Sequence, residues 1–313
     1  MKTTIAHEFF HAIQRFYRDY EGGANGYFYE MSSAWIEDIV YPDINDYIKT
    51  GWTEDFFDYD NMLKNIYDTD GYSIALYAHY LTSRIDDESI IQDIWKEFKT
   101  NNNPVAAIDN ILEQKGTNFI RTWVDFCSFN FFNGFYPDYP NEDNEFYYHL
   151  DQVIAQPMTI LADNDYDHPN NSSNYAFTSN ISSTKEVDNT SIEMISVRGI
   201  NQETILNFGI NTNPINPNLI GNVILLSENN LDSQRIIDIN DISDETYDGI
   251  EYTYFILGLD SQIDEVINFD ISFCNELDGD VTSDCIINIL DYIQLGRIIM
   301  DDEPFPSSCD LND

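Results

Sequence analysis

The residues with the most distinctive chemistry lie near the start of the sequence, where His7, Glu8 and His11 form an H-E-x-x-H motif. Two histidines four residues apart lie one helical turn apart on the same face, so both imidazoles can bind one tetrahedral ion at about 2.0–2.1 Å. Glu8 lies on the adjoining strip, where it can hold a water molecule at the ion. Because the motif alone also fits an ordinary pair of helical histidines, the interpretation depends on a further ligand.

Glu30 is the candidate for that third ligand. It follows His11 after a Gly-rich turn at 21–26, which gives the pattern H-E-x-x-H-x18-E. Two antiparallel helices joined by a short loop would bring this carboxylate to the ion. Two histidines, one glutamate and an open fourth position form a catalytic zinc set. Glu37, two turns further along the same helix, is either an exposed carboxylate of a very acidic chain, a hydrogen-bond partner of a ligand imidazole or an alternative ligand.

Helices are expected to position these ligands, since apolar residues recur at three-and-four spacing from residue 1 to about 135. In the first helix, Phe9, Ile13 and Phe16 lie opposite the histidines, and we expect them to anchor the helix in the core. Later helices are predicted at about 74–81, 89–100, 104–115 and 117–132.

The middle of the chain predicts a different structure. From about residue 137 the composition shifts to Pro, Asp and Asn, and then to short alternating apolar runs separated by polar turns. Such runs are typical of an all-β sandwich, which we expect between 155 and 275. The predicted strands are 191–197, 204–210, 221–227, 251–257 and 265–273, and the Asn-rich stretches 169–174 and 211–218 are predicted to be loops.

Residues 280–291 have the spacing of a calcium-binding loop, with oxygen-bearing side chains at positions 1, 3, 5, 9 and 12. Position 7 can contribute its carbonyl oxygen. A helix is predicted to follow, with apolar residues between 289 and 299. The candidate calcium ligands are Asp280, Thr282, Asp284, Ile286, Asn288 and Asp291.

The charge balance excludes one class of partner. The chain has 56 Asp and Glu against 14 Lys and Arg, a formal net charge of -42, whereas nucleic-acid binding needs clustered basic residues. So acidic a surface suits a secreted or cell-surface protein. We find no apolar run of about 18 residues that would span a membrane.

The pattern H-E-x-x-H-x18-E resembles that of the gluzincins, zinc peptidases of the thermolysin and aminopeptidase types whose second helix supplies a Glu ligand. Over roughly the first 135 residues, the chain is similar to secreted bacterial metallopeptidases through Ala-His-Glu-Phe-Phe-His-Ala-Ile-Gln and the later Ser-Ser-Ala-Trp-Ile-Glu-Asp. This resemblance implies zinc on His7, His11 and Glu30 and catalysis by Glu8 as the base. It also implies a sheet and an export signal upstream of this sequence.

The resemblance further implies a Tyr or His that hydrogen-bonds the oxyanion of the reaction intermediate. Residues 71–81 are similar to the Tyr-x-Lys-Gly-Ala helix of aminopeptidase-type enzymes, without its Lys. Tyr72 is the preferred candidate and His79 the alternative, although in a chain with 21 Tyr this tyrosine could also be an ordinary packed aromatic residue. Near the end of the chain, the calcium loop resembles the first half of a dockerin repeat, and 310–313 resembles the start of the second half. A dockerin-like repeat implies calcium and a cohesin-like or cell-surface partner.

Taken together, the sequence predicts a multidomain α+β protein. Its parts are a mainly helical zincin core at 1–150, a β-sandwich at 155–275 and a dockerin-like half repeat at 276–313. The predicted function is zinc-dependent hydrolysis of a peptide or protein substrate. The alternative is a catalytically silent zincin that serves as a binding or adhesion protein at the cell surface, although the intact Glu8 favours the enzyme.

Overall fold

Secondary structure changes from helix to sheet along the 313-residue chain. The computed structural model describes residues 1–19, 23–44, 46, 71–130, 172–176, 180–187, 192–198, 207–211, 218–226, 235–241, 252–260, 265–274 and 289–301. Within these ranges, helices precede two β-sheets and one further helix follows them. The predicted mixture of helices and strands is therefore confirmed, whereas the three domains and the sandwich packing stay predictions.

Two helices carry the H-E-x-x-H-x18-E pattern. Helix α1 spans Lys2–Tyr17 and helix α2 spans Gly26–Val40, with the one-turn 3₁₀ helix Gly23–Asn25 directly before α2. The two helices pack against each other. The predicted packing of the two helices is present, and it determines which side chains can meet.

The later helices agree closely with the sequence prediction. Asn103 accepts hydrogen bonds from the backbone N–H groups of Val105 and Ala106, and Asn118 accepts one from that of Arg121. Such N-caps satisfy backbone donors that have no partner inside a helix, so each helix begins just after its asparagine. The helices are α3 (Ala75–Tyr80), continued by a π-helical turn at Leu81–Ile85, then α4 (Ser89–Phe98), α5 (Pro104–Gln114) and α6 (Phe119–Phe129).

Aromatic side chains fill the helical core. Trp95 packs against Phe28 and Tyr29 of α2, with ring centroids 4.7 and 5.0 Å apart, and its Nε1 donates to Ser32 Oγ at 3.2 Å. These contacts hold α2 against α4. Because α2 carries Glu30, the aromatic core also fixes the position of the third candidate ligand.

Eight strands form the two described sheets. The larger sheet has the order β1-β3-β7-β5-β6 and the smaller one β2-β8-β4. All pairs are antiparallel except β1 with β3. The strands are β1 (Ser172–Ala176), β2 (Asn180–Val187), β3 (Glu193–Arg198), β4 (Asn207–Asn211), β5 (Leu219–Leu226), β6 (Arg235–Asp238), β7 (Tyr252–Leu259) and β8 (Glu265–Cys274).

All five predicted strands are confirmed, with shifted ends. The prediction of a loop at 169–174 was wrong for 172–174, because Ser172, Ser173 and Asn174 belong to β1 and pair with β3, whereas 169–171 lie outside the described residues. Backbone hydrogen bonds make this pairing, and they do not depend on apolar side chains. A polar segment can therefore serve as a strand at the end of the five-stranded sheet.

Helix α6 lies directly on the larger sheet. A Cβ atom added at Gly258 would lie 2.8 Å from Ile120 Cγ2 and 2.9 Å from Val124 Cγ2, so the absence of a side chain permits the close approach. Asn222, on β5, donates to Asp125 Oδ1 at 2.9 Å and to Ser128 Oγ at 3.0 Å. One hydrophobic cluster accordingly runs from the helices into this sheet.

The prediction that Phe9, Ile13 and Phe16 anchor α1 in the core was wrong. Their exposed fractions are 66%, 38% and 78%. Helix α1 instead buries the opposite side, with His7 and Gln14 turned toward α2. Hydrogen bonds to α2 replace apolar packing on that side.

The predicted helix after the calcium loop is present as α7 (Ile289–Asp301). Asp280, Thr282, Asp284, Ile286 and Asn288 lie outside the described residues, as does 310–313. Asp291 is described and is buried in the first turn of α7. Across the described ranges, no helix combines the length and apolar character needed to cross a membrane.

Candidate metal centre

Three side chains from α1 and α2 bring their donor atoms to one point. His7 Nε2 lies 3.1 Å from His11 Nε2 and 3.2 Å from Glu30 Oε2, and His11 Nε2 lies 3.6 Å from Glu30 Oε2. Ligand atoms bound at 2.0–2.1 Å around a tetrahedral ion are about 3.3–3.4 Å apart. The triangle therefore has the size that a metal ion requires, and these three residues could hold one.

Hydrogen bonds on the far side of each imidazole determine which ring nitrogen faces this point. His7 Nδ1 lies 2.7 Å from Glu37 Oε1, and His11 Nδ1 lies 2.7 Å from Gln14 Oε1. Both oxygens only accept, so each Nδ1 donates its proton and, in the neutral ring, Nε2 is left with a lone pair. Two such lone pairs and the Glu30 carboxylate then face one another, and a cation satisfies all three.

Electrostatics favour positive charge at the same place. Burial lowers the pKa of His7, but hydrogen bonds to Glu30 and Glu37 outweigh it and raise that pKa to about 9. Burial likewise raises the pKa of Glu30, but hydrogen bonds from His11, His7 and Tyr72 hold it well below its usual value. Glu30 is therefore ionised at neutral pH, as a metal ligand must be.

Glu37 lies on the outer side of the His7 ring. It is buried and contacts Nδ1, whereas Glu30 is half-buried and contacts Nε2 on the inner side. The two carboxylates, two helical turns apart on α2, thus take different positions around one imidazole. This placement favours Glu30 as the ligand and Glu37 as the partner that orients it.

Glu8 and Tyr72 lie beside the three candidate ligands. The Tyr72 ring stacks on the His7 ring, with centroids 5.5 Å apart and planes 7° apart, and its hydroxyl hydrogen-bonds to Glu30. Burial, this hydrogen bond and the charges of Glu30, Glu8 and Glu37 raise the pKa of Tyr72 well above its usual value. Tyr72 therefore keeps its proton, and Glu8, exposed on α1, lies close enough for its charge to act on that hydroxyl.

His79 takes a different position from Tyr72, although the two residues are seven apart. It is buried on α3, and its Nε2 lies 4.0 Å from Asp38 Oδ2. Among the described residues, the group that could hold a metal contains only His7, His11 and Glu30. The structure thus brings Tyr72 to the site and leaves His79 against α2.

Gly71 allows Tyr72 to approach the ligands. Its φ is +87°, a left-handed conformation that glycine adopts at no steric cost. A Cβ atom there would collide with the backbone oxygen of Tyr27 and lie 2.8 Å from Glu30 Cβ. The segment before α3 consequently touches α2 at the turn that carries Glu30.

We expect Gly71→Ala to destabilise the fold more than Gly116→Ala does. Gly116 has a similar φ of +83°, but a Cβ there would meet nothing within 4 Å, so the control isolates the backbone cost. The clash with Tyr27 and Glu30 should add about 1–3 kcal/mol, as overpacking typically does. Urea unfolding of both variants measures the difference, and equal losses would show that the close contact has no energetic role.

Gln14 is the site residue that the sequence interpretation missed. It lies on the buried side of α1, within hydrogen-bond distance of His11. A signal was available, because Gln14 follows His11 by three residues and so shares its face of the helix. In sequence alone, however, nothing distinguishes it from a glutamine exposed to solvent.

Comparison with known proteins identifies a family whose function is unknown. A family model described as a family of unknown function (DUF6055) matches residues 1–208, which include His7, Glu8, His11, Glu30 and Tyr72. No curated protein and no solved structure was found to match the chain.

Proposed function

The chain belongs to the DUF6055 family, and we propose that it is a zinc-dependent peptidase of the gluzincin type. His7, His11 and Glu30 would hold the zinc. The observation that carries the proposal is the triangle of donor atoms, with sides of 3.1, 3.2 and 3.6 Å. Two imidazoles and one carboxylate are the protein ligands of many catalytic zinc sites, which leave a fourth position open.

The H-E-x-x-H motif favours zinc over iron. Two histidines and one carboxylate also bind non-haem iron. A glutamate between two histidines on one helix, as Glu8 is here, is the arrangement of zinc peptidases, where that glutamate serves as the base.

The neighbouring residues support a hydrolytic reaction. Bound zinc would supply Lewis acidity toward a peptide carbonyl and a water molecule. Glu8 takes one proton from that water, whose oxygen bonds to the carbonyl carbon, and passes the proton to the departing amine nitrogen. Tyr72, which keeps its proton, exchanges its hydrogen bond to Glu30 for one to the carbonyl oxygen as negative charge develops there.

The rival proposal is a silent zincin that binds partners at the cell surface. Such a protein keeps the zinc ligands but has no use for a base or for a hydroxyl at the site. The exposed Glu8 beside a protonated Tyr72 therefore favours the enzyme.

Calcium binding, a cohesin-like or cell-surface partner and secretion complete the proposal. They are supported by the spacing of oxygen-bearing residues at 280–291, the helix α7 that follows, and the net charge of -42. The β-sandwich at 155–275 would be an accessory module, for which the two described sheets provide the strands.

Zinc analysis and a peptidase assay on the full chain test the function. We expect about one zinc per chain, and hydrolysis of a quenched fluorescent peptide library that a chelator abolishes and added zinc restores. Zinc without hydrolysis would favour the silent binding protein. A chain that binds no zinc would contradict both readings.

A further inference from the structure

We propose that Gln14 is a positioning residue of the metal centre. In this role it fixes the tautomer and direction of His11 and joins that ligand to α2, the helix that supplies Glu30. The inference deepens the proposed function and rests on its metal centre, not on peptide hydrolysis.

The orientation of the Gln14 amide follows from its partners. Gln14 is 1% exposed, and its Nε2 lies 2.9 Å from the backbone oxygen of Tyr29, 3.0 Å from Ser32 Oγ and 2.9 Å from Ser33 Oγ. A backbone carbonyl can only accept, so the NH₂ group of the amide must face α2. The reversed amide would place two acceptors against each other in a buried position, which is costly.

That orientation dictates the protonation of His11. With the NH₂ group turned to α2, Oε1 of Gln14 faces His11 Nδ1 at 2.7 Å. The oxygen can only accept, so Nδ1 carries a proton, and in the neutral ring the Nε2 lone pair points toward His7 and Glu30. Gln14 thus selects, for neutral His11, the tautomer that binds metal.

The same amide connects the two ligand helices. Its three contacts on α2, at residues 29, 32 and 33, lie on both sides of Glu30 in the sequence. A shift of α2 along α1 would break these bonds and separate Glu30 from the histidines together. One buried side chain therefore links the direction of His11 to the position of Glu30.

The two histidines have chemically different supports. His7 donates to a carboxylate, Glu37, whereas His11 donates to a neutral amide. A carboxylate in place of Gln14 could accept from His11 but could not donate to the Tyr29 carbonyl. The amide both accepts from the ligand and donates to the neighbouring helix, and this dual requirement favours glutamine over glutamate here.

The test compares the zinc affinities of three full-chain variants, measured by competition with a chromophoric chelator. Gln14→Met has a similar shape but removes the polar contacts with His11 and with α2, and we expect zinc to bind about 10–100-fold more weakly. Gln14→Glu keeps an acceptor for His11 and should regain most of that loss. Thr122→Ala removes a buried hydrogen bond between α6 and Tyr77 of α3, neither of which supplies a ligand, so its zinc affinity should equal that of the parent.

Thermal unfolding of the metal-free proteins separates the two parts of the role. Thr122→Ala and Gln14→Glu should both unfold at lower temperature than the parent, because each loses buried hydrogen bonds. If Gln14 only stabilised the fold, zinc affinity would fall together with unfolding temperature across the variants. Gln14→Glu would then bind zinc as weakly as Gln14→Met. That result, or parental zinc affinity in Gln14→Met, would overturn the proposal. If Gln14→Met does not fold, near-parental zinc affinity in Gln14→Glu supports the proposal and a 10–100-fold loss there overturns it.

Failure of this inference and failure of the proposed function have different signatures. A parent that binds zinc but hydrolyses no peptide would overturn the peptidase function and leave the role of Gln14 intact. If Gln14→Met bound zinc as tightly as the parent does, only the role of Gln14 would be overturned. A parent that binds no zinc would overturn the metal centre, and the inference with it.

Discussion

Glu8→Gln is expected to keep about one zinc per chain and to hydrolyse peptides roughly 10²–10⁴-fold more slowly than the parent. The amide has nearly the shape of the carboxylate, and all three candidate ligands remain. It cannot accept a proton, however, so the attacking water is no longer activated by a base. The measurement pairs zinc analysis with initial rates on one peptide substrate.

Glu113→Gln is the matched control for Glu8→Gln. Glu113 is an exposed glutamate on α5, far along the chain from the site, and its substitution removes the same charge. We expect parental zinc content and parental rates. If Glu8→Gln also retained the parental rate, Glu8 would not be the base and the silent binding protein would gain support.

Glu30→Gln is expected to weaken zinc binding more than any substitution outside the ligand triangle. Glu30 supplies the only negative charge among the three candidate ligands, and it is the one ligand from α2. Glu37→Gln is the internal comparison, because that carboxylate contacts only the outer nitrogen of His7 and keeps an acceptor oxygen as an amide. Residues that orient ligands typically contribute about 10–100-fold to metal affinity, and Glu30→Gln should exceed that range.

The ranking of these two variants also decides between the alternatives that the sequence left open. If Glu37→Gln lost more zinc affinity than Glu30→Gln, Glu37 would be the ligand and the triangle would have to rearrange on metal binding. Chelator competition on the full chain gives both affinities under the same conditions. Without metal, Glu30→Gln should unfold at a lower temperature than the parent, because the ionised carboxylate is stabilised by hydrogen bonds from His7, His11 and Tyr72.

Most of the candidate metal site could be predicted from the sequence, because its three candidate ligands lie close together along the chain. Histidines four apart on one helix must share a face, and a short Gly-rich turn returns the chain so that α2 lies against α1. The convergence of His7, His11 and Glu30 therefore depends on helix periodicity and turn length, both of which are readable from sequence. Helices α4 to α6 were predictable for the same reason, since their apolar spacing and capping asparagines are local.

The buried face of α1 was decided only by tertiary structure. Apolar spacing predicted that Phe9, Ile13 and Phe16 would be buried, but hydrogen bonds to α2 bury the histidine face instead. Amphipathic periodicity shows that a helix has two unlike faces, and it cannot show which of them a neighbouring helix will cover with polar partners.

Which residues could bind a metal can be read from the amino-acid sequence, because ligand chemistry and helical spacing are properties of neighbouring residues. Tertiary structure alone decided what holds those residues in place. Gln14 meets residues 29, 32 and 33, and Gly71 meets the turn that carries Glu30. Contacts between segments far apart in the chain leave no periodic pattern, so only the folded structure shows them.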